Sequence, residues 1–256
     1  MDIRIDTDWI GGRNPVLEAI KSGRTIEKLL IADGMNKGSI GKILVLANEK
    51  KIPIQSVPRT KLDQLVEGNH QGVIAHLSAH TYATMEDVYK RAKESGEPPF
   101  VLILDGIEDP HNLGAIIRTA ECAGVHGVII PKRRAAGLTA TVAKTAAGAL
   151  EYVPVVKVGN LAQQMEKLKE EGFWIYGTAF SDQNVFDTEL SGSVALVIGN
   201  EGKGISKNVQ AHCDALVSIP MVGNITSLNA SVATAVVTYE VRRQRNLIAK
   251  RALKTK

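Results

Sequence analysis

Helix-like and strand-like hydrophobic patterns alternate at short spacing through the first eighty residues. Apolar positions three and four apart predict helices in VLEAIKS and IGKILVLANEK, and Thr60 is expected to cap a further short helix through Leu65 and Val66. Asn14 and Pro15 are expected to start the first helix as N-cap and first-turn proline, and Gly23 to end it. Apolar runs predict strands in EKLLIA, IPIQSV and GVIAHLS. Residues 1–80 are therefore predicted to form a small α/β domain.

The pattern changes between Tyr82 and Pro99, where the chain becomes polar and charged and ends in ESGEPP. One glycine and two prolines in that stretch interrupt regular structure. We therefore expect a linker over residues 81–99 with a short helix inside it.

From Phe100 onwards the predicted strands are apolar almost throughout, and helical segments separate them. The strands are FVLILD, GVIIP, YVPVVKV, FWIYGTA, VALVIG and ALVSIP. Strands that are apolar on both faces are typical of a parallel sheet covered by helices on each side. The sequence therefore predicts a second α/β domain over residues 100–246, with ligands bound beyond the carboxyl ends of its strands.

Composition restricts the classes of protein that remain. The chain has 256 residues, 44% of them hydrophobic, which is enough for two modest cores. It contains no run of about 18 apolar residues, and its N-terminus, MDIRIDTDWIGG, lacks the features of a secretion signal. Cys122 and Cys213 are far apart, without a CxxC pair or clustered histidines. We expect a cytoplasmic protein with no membrane association and no metal site.

The formal net charge of +4 is unevenly distributed along the chain. Residues 98–241 contain ten basic and fourteen acidic side chains, whereas the last fifteen residues, RRQRNLIAKRALKTK, contain seven basic side chains and no acidic one. The final residues, 247–256, are expected to form a basic tail. Two interpretations of this charge stay open, namely a solvated terminus and a contact with nucleic-acid phosphates.

Polar residues that are able to support chemistry follow the first strand of the second domain, in the segment GIEDPHNLGAIIRTAECAGV. We expect a helix that begins near His111 or Asn112. Asn112 and Arg118 are six residues apart, too far to stack directly, yet both could reach one phosphate or ribose near the helix start. The alternative makes Asn112 an N-cap and Arg118 a surface residue.

Two further segments end strands in polar turns. VALVIGNEGKGIS turns through Asn200, Glu201 and closely spaced glycines, without the spacing of a Walker loop or of GxGxxG. Glu201 in such a turn is either a functional group or a solvated helix-start charge. ALVSIPMVGNITSLNASVATAVVTYEV predicts a strand, a turn and a long helix starting near Ser227, where Ser227 and Asn229 are candidates for capping or for the site.

Taken together and in order, NLGAIIRTAECAG, IGNEGKGI and IPMVGNITSLNASVA resemble the three motifs of the SPOUT-class ribose 2′-O-methyltransferases, the SpoU or TrmH family. This resemblance covers residues 100–243. GGRNPVLEAI and NHQGVIAHLS in the first domain look like the bacterial enzymes that methylate a guanosine ribose in 23S ribosomal RNA. The resemblance implies a catalytic domain with a deep C-terminal trefoil knot, which is a documented exception to unknotted folds.

The resemblance also implies a cofactor and a set of site residues. S-adenosylmethionine would be held mainly by backbone groups near Gly199, Ile219 and Leu228. The same cofactor site would include Thr178, Ile198 and Met221. The polar active site would consist of Asn112, Arg118, Glu201, Ser227 and Asn229. In this assignment Arg118 binds the phosphate beside the target nucleotide, and Glu201 and Asn112 hold Arg118 or the ribose. The base that takes the hydroxyl proton stays open between Arg118, the phosphate and water.

For the whole protein, the resemblance implies RNA binding by the N-terminal domain and a homodimer through the catalytic domain. His70 lies before the last strand of the first domain, and it is interpreted either as an RNA contact or as a turn residue. Three functional alternatives stay open, namely methylation of transfer RNA, methylation of a different ribosomal adenosine, and RNA binding without catalysis.

Overall fold

The computed structural model describes residues 8–35 and 37–254. The described chain divides into two compact units. The first contains the residues up to Thr81 together with Gly137–Ala143, and the second contains Tyr82–Ala136 and the chain from Lys144 onwards.

The first unit is a four-stranded sheet with helices. Its elements are β1 (Trp9–Gly11), α1 (Arg13–Lys21), β2 (Ile26–Ala32), α2 (Lys37–Glu49), β3 (Ile54–Val57), α3 (Arg59–Leu65) and β4 (Val73–Leu77). The strand order is β1-β4-β2-β3. β2 and β3 are parallel, and β4 runs antiparallel to β1 and β2. The predicted α/β class of this domain is confirmed, although the three-residue strand β1 was not predicted.

The helix starts in the first unit differ from those expected. Gly12, with φ 103°, is the N-cap of α1, so Asn14 does not have the predicted role. Gly23 does end the helix as predicted: it follows the C-cap Ser22 with φ 78°, and its amide donates to the Ile20 carbonyl. Pro58 precedes α3, and Thr60 lies inside that helix. His70 is 2% exposed; its Nε2 lies 2.8 Å from Asp63 Oδ1, and its Nδ1 accepts the Gly72 amide proton at 3.0 Å. His70 is therefore a turn residue, and both nitrogens of its ring are bound to other groups of the first unit.

Residues 81–99, expected to form a linker with a short helix inside it, do contain a helix, and this helix is packed against the second unit. α4 (Met85–Ser95) begins with a reciprocal capping box between Thr84 and Asp87. Val88 on this helix is fully buried, and its side chain lies directly against Gly127. The Ala83 amide donates to the Val155 carbonyl at 2.9 Å. This segment therefore adds to the core of the second unit.

The second unit is built on a six-stranded sheet in which all pairs are parallel. Its strands are β5 (Phe100–Asp105), β6 (Gly127–Pro131), β7 (Val155–Val158), β8 (Trp174–Thr178), β9 (Val194–Gly199) and β10 (Ala215–Val217). Its helices after α4 are α5 (Pro110–Cys122), α7 (Leu161–Glu170), α8 (Lys207–Gln210) and α9 (Ala230–Lys254). The residues of α6 (Ala140–Ala146) are divided between the two units after Ala143. The predicted parallel α/β sheet is confirmed.

Strand order determines where this unit binds ligands. The order is β10-β8-β9-β5-β6-β7, so from β5 the chain first builds the sheet towards β7 and later returns to build β9, β8 and β10 on the other side. β5 and β9 are neighbours at this reversal and pair from Phe100 to Asp105. Ligands of open parallel sheets bind at the carboxyl edge beside such a reversal. The first two motifs follow β5 and β9.

The last fifteen residues begin inside helix α9 and are anchored at their start by partly buried arginines, while residues 247–252 are helical and exposed. α9 continues to Lys254, while residues 255 and 256 lie outside the described chain. Arg245 is 7% exposed and donates to Glu97 and to the carbonyls of Pro99 and Gly192. Arg242 also donates to Glu97, at 2.7 Å. At least two of the seven cations therefore anchor α9 to the unit. No helix of the described residues is long and apolar enough to cross a membrane.

Candidate active site

The three polar motifs meet in one hydrogen-bond network at the carboxyl edge of the sheet. Glu201 Oε1 accepts from the Asn112 side-chain amide at 2.9 Å, from the Asn229 side-chain amide and from the Ala230 backbone amide at 3.1 Å. The Asn229 amide also donates to Asn112 Oδ1 at 2.9 Å. Residues separated by up to 117 positions in the sequence thus share one carboxylate. Glu201 is the centre of this network.

Asn112 is available for the network because a different residue caps its helix. Asp109 is the N-cap of α5, its carboxylate accepting the His111 amide proton at 3.0 Å, and Pro110 occupies the first turn. Asn112 therefore lies inside the first turn. The capping alternative for Asn112 is wrong, because the helix begins at Pro110, one residue before His111 and two before Asn112.

The turn after β9 is held rigid around Asn200. Its side-chain amide donates to the Gly106 carbonyl at 2.9 Å, and its Oδ1 accepts from the amides of Gly202 and Lys203 at 3.0 and 3.1 Å. Gly199 is required by a close backbone approach, because a Cβ there would lie 2.3 Å from the carbonyl carbon of Gly204. These contacts fix the position from which Glu201 extends.

The third motif positions Asn229 at the start of α9. The Asn229 Oδ1 accepts from the amides of Ser231 and Val232 at 3.0 and 3.3 Å, and its carbonyl accepts the first helical hydrogen bond from Ala233. Asn229 is therefore both N-cap and network member. Ser227, two residues earlier, does not cap the helix, which begins at Ala230 rather than near Ser227.

Arg118 lies apart from this network. It is exposed on α5 and makes no hydrogen bond or ion pair within the described part of the chain. Six residues of helix separate it from Asn112 by about 9 Å along the axis. The resemblance implied that Glu201 and Asn112 hold either Arg118 or the ribose. In the structure both side chains bond to Asn229, and neither bonds to Arg118.

A cavity of about 490 Å³ opens beside Glu201, within the size range of small-molecule sites. It is enclosed by the ends of β8, β9 and β10 and by the chain leading into α9. All six residues expected at the cofactor line it: Thr178, Ile198, Gly199, Ile219, Met221 and Leu228. Glu201 and Ser227 line it as well. The assignment of these residues to a cofactor stays a prediction.

The cavity wall also contains residues that were not among the expected site residues. Phe180 lines the cavity and is 95% exposed, while hydrogen bonds from Ala179 and Ser181 hold its loop to β10. Asn200 lines it too. The turn composition NEGKG was the available signal for Asn200, whereas no periodicity singles out Phe180. Burial raises the pKa of the Cys213 thiol to about 11, which disfavours the thiolate form.

Comparison with known proteins agrees with this geometry. Models of the SpoU rRNA Methylase family and of the RNA 2′-O ribose methyltransferase substrate-binding domain match residues 99–239 and 9–83. YacO of Bacillus subtilis, named as a TrmH family tRNA/rRNA methyltransferase, is 51% identical over 93% of this chain and 96% of its own.

Two solved structures extend the likeness. AviRb, the SpoU methyltransferase of Streptomyces viridochromogenes in complex with AdoMet, is 27% identical over 93% of this chain and 90% of its own, with TM-score 0.59. The TrmH/SpoU tRNA-modifying enzyme of A. aeolicus is 30% identical over 64% of this chain and 86% of its own, with TM-score 0.55. The protein thus belongs to the SpoU/TrmH family of RNA methyltransferases.

Proposed function

We propose that this protein transfers a methyl group from S-adenosylmethionine to the ribose 2′-hydroxyl of a guanosine in 23S ribosomal RNA. The observation that carries the proposal is the cavity at the carboxyl edge, with the network of Asn112, Glu201 and Asn229 at its rim. A small-molecule cavity beside a fixed polar cluster is suited to a bound methyl donor that faces a positioned hydroxyl.

The chemistry of the cavity wall fits S-adenosylmethionine. Among the described residues that line it there is no lysine or arginine, while Glu201 supplies a carboxylate. Cations usually contribute to the binding of a nucleotide with phosphates, whereas this donor has a neutral adenine and a positively charged sulfonium. Glycine and apolar positions such as Gly199, Ile219 and Leu228 suit the adenine, and AviRb binds the same cofactor. When bound, the cofactor supplies the electrophilic methyl group.

Glu201 acts in this proposal as a clamp rather than as a base. Its Oε1 already accepts three hydrogen bonds, which hold the motifs in one arrangement. An ionised carboxylate is an acceptor only, so three donors satisfy it well. Asn112, whose amide and carbonyl both belong to the network, then orients the ribose beside the cavity. Ser227 has no side-chain partner in the described chain and is free to contact the substrate.

Arg118 is assigned to the phosphate next to the target nucleotide. A guanidinium seldom loses its proton, and its planar donors match two phosphate oxygens. The Arg118 side chain has no partner in the described chain, so its donors are available to bind a phosphate of the substrate. It would therefore fix the nucleotide while the 2′-hydroxyl loses its proton to the phosphate or to water.

The N-terminal unit favours ribosomal over transfer RNA. We assign RNA substrate binding to residues 1–80 and catalysis to residues 100–246. The A. aeolicus tRNA-modifying enzyme aligns with 64% of this chain, whereas a model of an RNA 2′-O ribose methyltransferase substrate-binding domain matches residues 9–83. A separate folded domain recognises RNA shape at a distance from the reacting ribose. The similarity of GGRNPVLEAI to the 23S-specific enzymes supports the same substrate.

We further propose a homodimer through the catalytic unit. Val232 and Tyr239 are seven residues apart on one face of α9 and are each about half exposed. An exposed apolar helix face of this kind suits a second copy of the chain. Val232→Glu combined with Tyr239→Glu should give a monomer in sedimentation, while Val45→Glu in the other unit should not. A dimer that persists in the double variant would place the interface elsewhere.

Mapping of 2′-O-methyl groups tests the proposed substrate. Ribosomal and transfer RNA from cells with and without the gene should differ at one guanosine of 23S RNA. Loss of a 2′-O-methyl group from transfer RNA would overturn the ribosomal assignment, although it would still support ribose 2′-O-methylation as the reaction. A profile unchanged in both RNAs would overturn the proposal itself.

A further inference from the structure

A run of three consecutive cations follows β6 and has no role in the site described above. Lys132, Arg133 and Arg134 come directly after Pro131, the last residue of that strand. All three are exposed. Within the described chain their side chains form no hydrogen bond and no ion pair. This basic loop therefore presents three charges without a protein partner.

The backbone of the basic loop is fixed at both ends. The Lys132 amide donates to the Val158 carbonyl at 2.9 Å, and the Ala136 amide donates to the Ile107 carbonyl at 2.8 Å. Arg134 has φ 56°, in the left-handed region that a non-glycine residue adopts only when its surroundings hold it there. The three cations thus extend from an ordered backbone.

Backbone contacts connect the basic loop to the proposed active site. Ile107, which accepts the amide of Ala136, follows Gly106, whose carbonyl accepts from the Asn200 side chain. Asn200 in turn precedes Glu201. β6 is the immediate neighbour of β5, and adjacent strands lie roughly 4.8 Å apart. The basic loop therefore lies at the same edge of the sheet as the network, one strand further along.

Charge identifies the kind of partner. Residues 98–241 contain fourteen acidic and ten basic side chains, so this region does not attract a polyanion as a whole. The basic loop contributes three of those ten cations in consecutive positions. The nearest acidic side chains in the segment that follows Ile107 are those of Glu108 and Asp109. Within the described chain neither forms an ion pair with the basic loop. The Asp109 carboxylate instead accepts the His111 amide proton at the start of α5. Unpaired cations beside the site suit the phosphates of a bound RNA strand.

We propose that Lys132, Arg133 and Arg134 bind backbone phosphates of the RNA strand that carries the target nucleotide. This inference rests on the proposed RNA methyltransferase function and adds a phosphate-binding surface to it. The basic loop holds the strand on the β6 side of the network, and these phosphate contacts position the RNA without reading its sequence.

The test compares two variants with the same loss of charge. In one, Lys132, Arg133 and Arg134 are each changed to Gln. In the control, exposed lysines on α4 and α7 are changed to Gln: Lys90, Lys93 and Lys167. α4 and α7 end just before β5 and β8 begin, so the control removes charge near the opposite edge of the sheet. The probe is a fluorescent 20-nucleotide polyuridylate, with affinity measured by anisotropy from 50 to 300 mM salt.

Each phosphate contact on single-stranded RNA contributes about 0.7 to the slope of log affinity against log salt. The loop variant should lose roughly 2 from the magnitude of that slope and bind about tenfold or more weakly at 100 mM salt, whereas the control should keep the wild-type slope. Equal changes in both variants, or no change in the loop variant, would overturn the inference. Wild-type methyl transfer to RNA is measured in parallel, so that its absence reports failure of the proposed function instead.

Discussion

Replacing Asn229 by Asp tests whether the network is built as the structure shows. The change keeps Oδ1, which caps α9 through Ser231 and Val232, but replaces the amide that donates to Glu201 and Asn112 by an oxygen. Two carboxylates about 4 Å apart repel by about 1 kcal/mol in water and about 4 kcal/mol near a protein surface. At pH 8 we therefore expect a loss of about 1–3 kcal/mol in unfolding free energy.

The pH dependence of Asn229→Asp has a definite sign. Close carboxylates raise the pKa of one of them above its ordinary value near 4. Because the raised pKa belongs to the folded state, proton binding at lower pH stabilises the variant and restores a donor to the network. The stability gap to wild type, measured by thermal unfolding at pH 8 and pH 5, should narrow at pH 5.

Asn229→Ser is the matched control for Asn229→Asp. Serine caps helices well but introduces no second carboxylate. Its stability gap to wild type should therefore be similar at pH 8 and pH 5. A gap for Asn229→Asp that is absent at pH 8, or equal at both pH values, would refute the contact between Asn229 and Glu201.

Three further predictions follow from other parts of the unit. Arg118→Ala should lower methyl transfer at least a hundredfold, with unchanged cofactor affinity by calorimetry, because Arg118 does not line the cavity; weakened cofactor binding would contradict this. Gly199→Ala should abolish cofactor binding because its Cβ meets the Gly204 backbone, whereas Gly202→Ala, with 3.7 Å to its nearest atom, should retain it. Burial and the Arg245 guanidinium lower the pKa of His126 to about 4 in the folded protein. In the unfolded chain its pKa returns to the ordinary value near 6.5, so below that pH unfolding is accompanied by protonation of His126. The unfolding free energy of the wild type, measured with urea, should fall by about 2 kcal/mol from pH 7 to pH 5. That of His126→Asn should fall clearly less.

The sequence predicts the second unit well because its strands are continuous apolar runs. All six strands expected between Phe100 and Pro220 are present. Their apolar side chains are largely buried, and strands that are apolar on both faces are typical of a parallel sheet covered by helices on each side. Helix starts were less predictable. Several residues before α5 and α9 are able to cap a helix, and local geometry selected Asp109 and Asn229 over Asn112 and Ser227.

Features that depend on distant partners were not predictable from local pattern. Charge alone did not indicate that Glu97, about 145 positions earlier in the chain, binds Arg242 and Arg245 and holds α9 in place. The short strand β1 has too few residues to show a periodicity. The trefoil knot stays a prediction from the resemblance, since strand order does not record how the chain passes through a loop.

The central claim is that the cavity and its network catalyse methylation of a ribose. The most direct measurement is transfer of labelled methyl from S-adenosylmethionine to 23S RNA prepared from cells lacking the gene, followed by nucleoside analysis. Wild type should produce 2′-O-methylguanosine, and Glu201→Ala should produce at least a hundredfold less. Label in a base, or equal transfer by both proteins, would contradict the account.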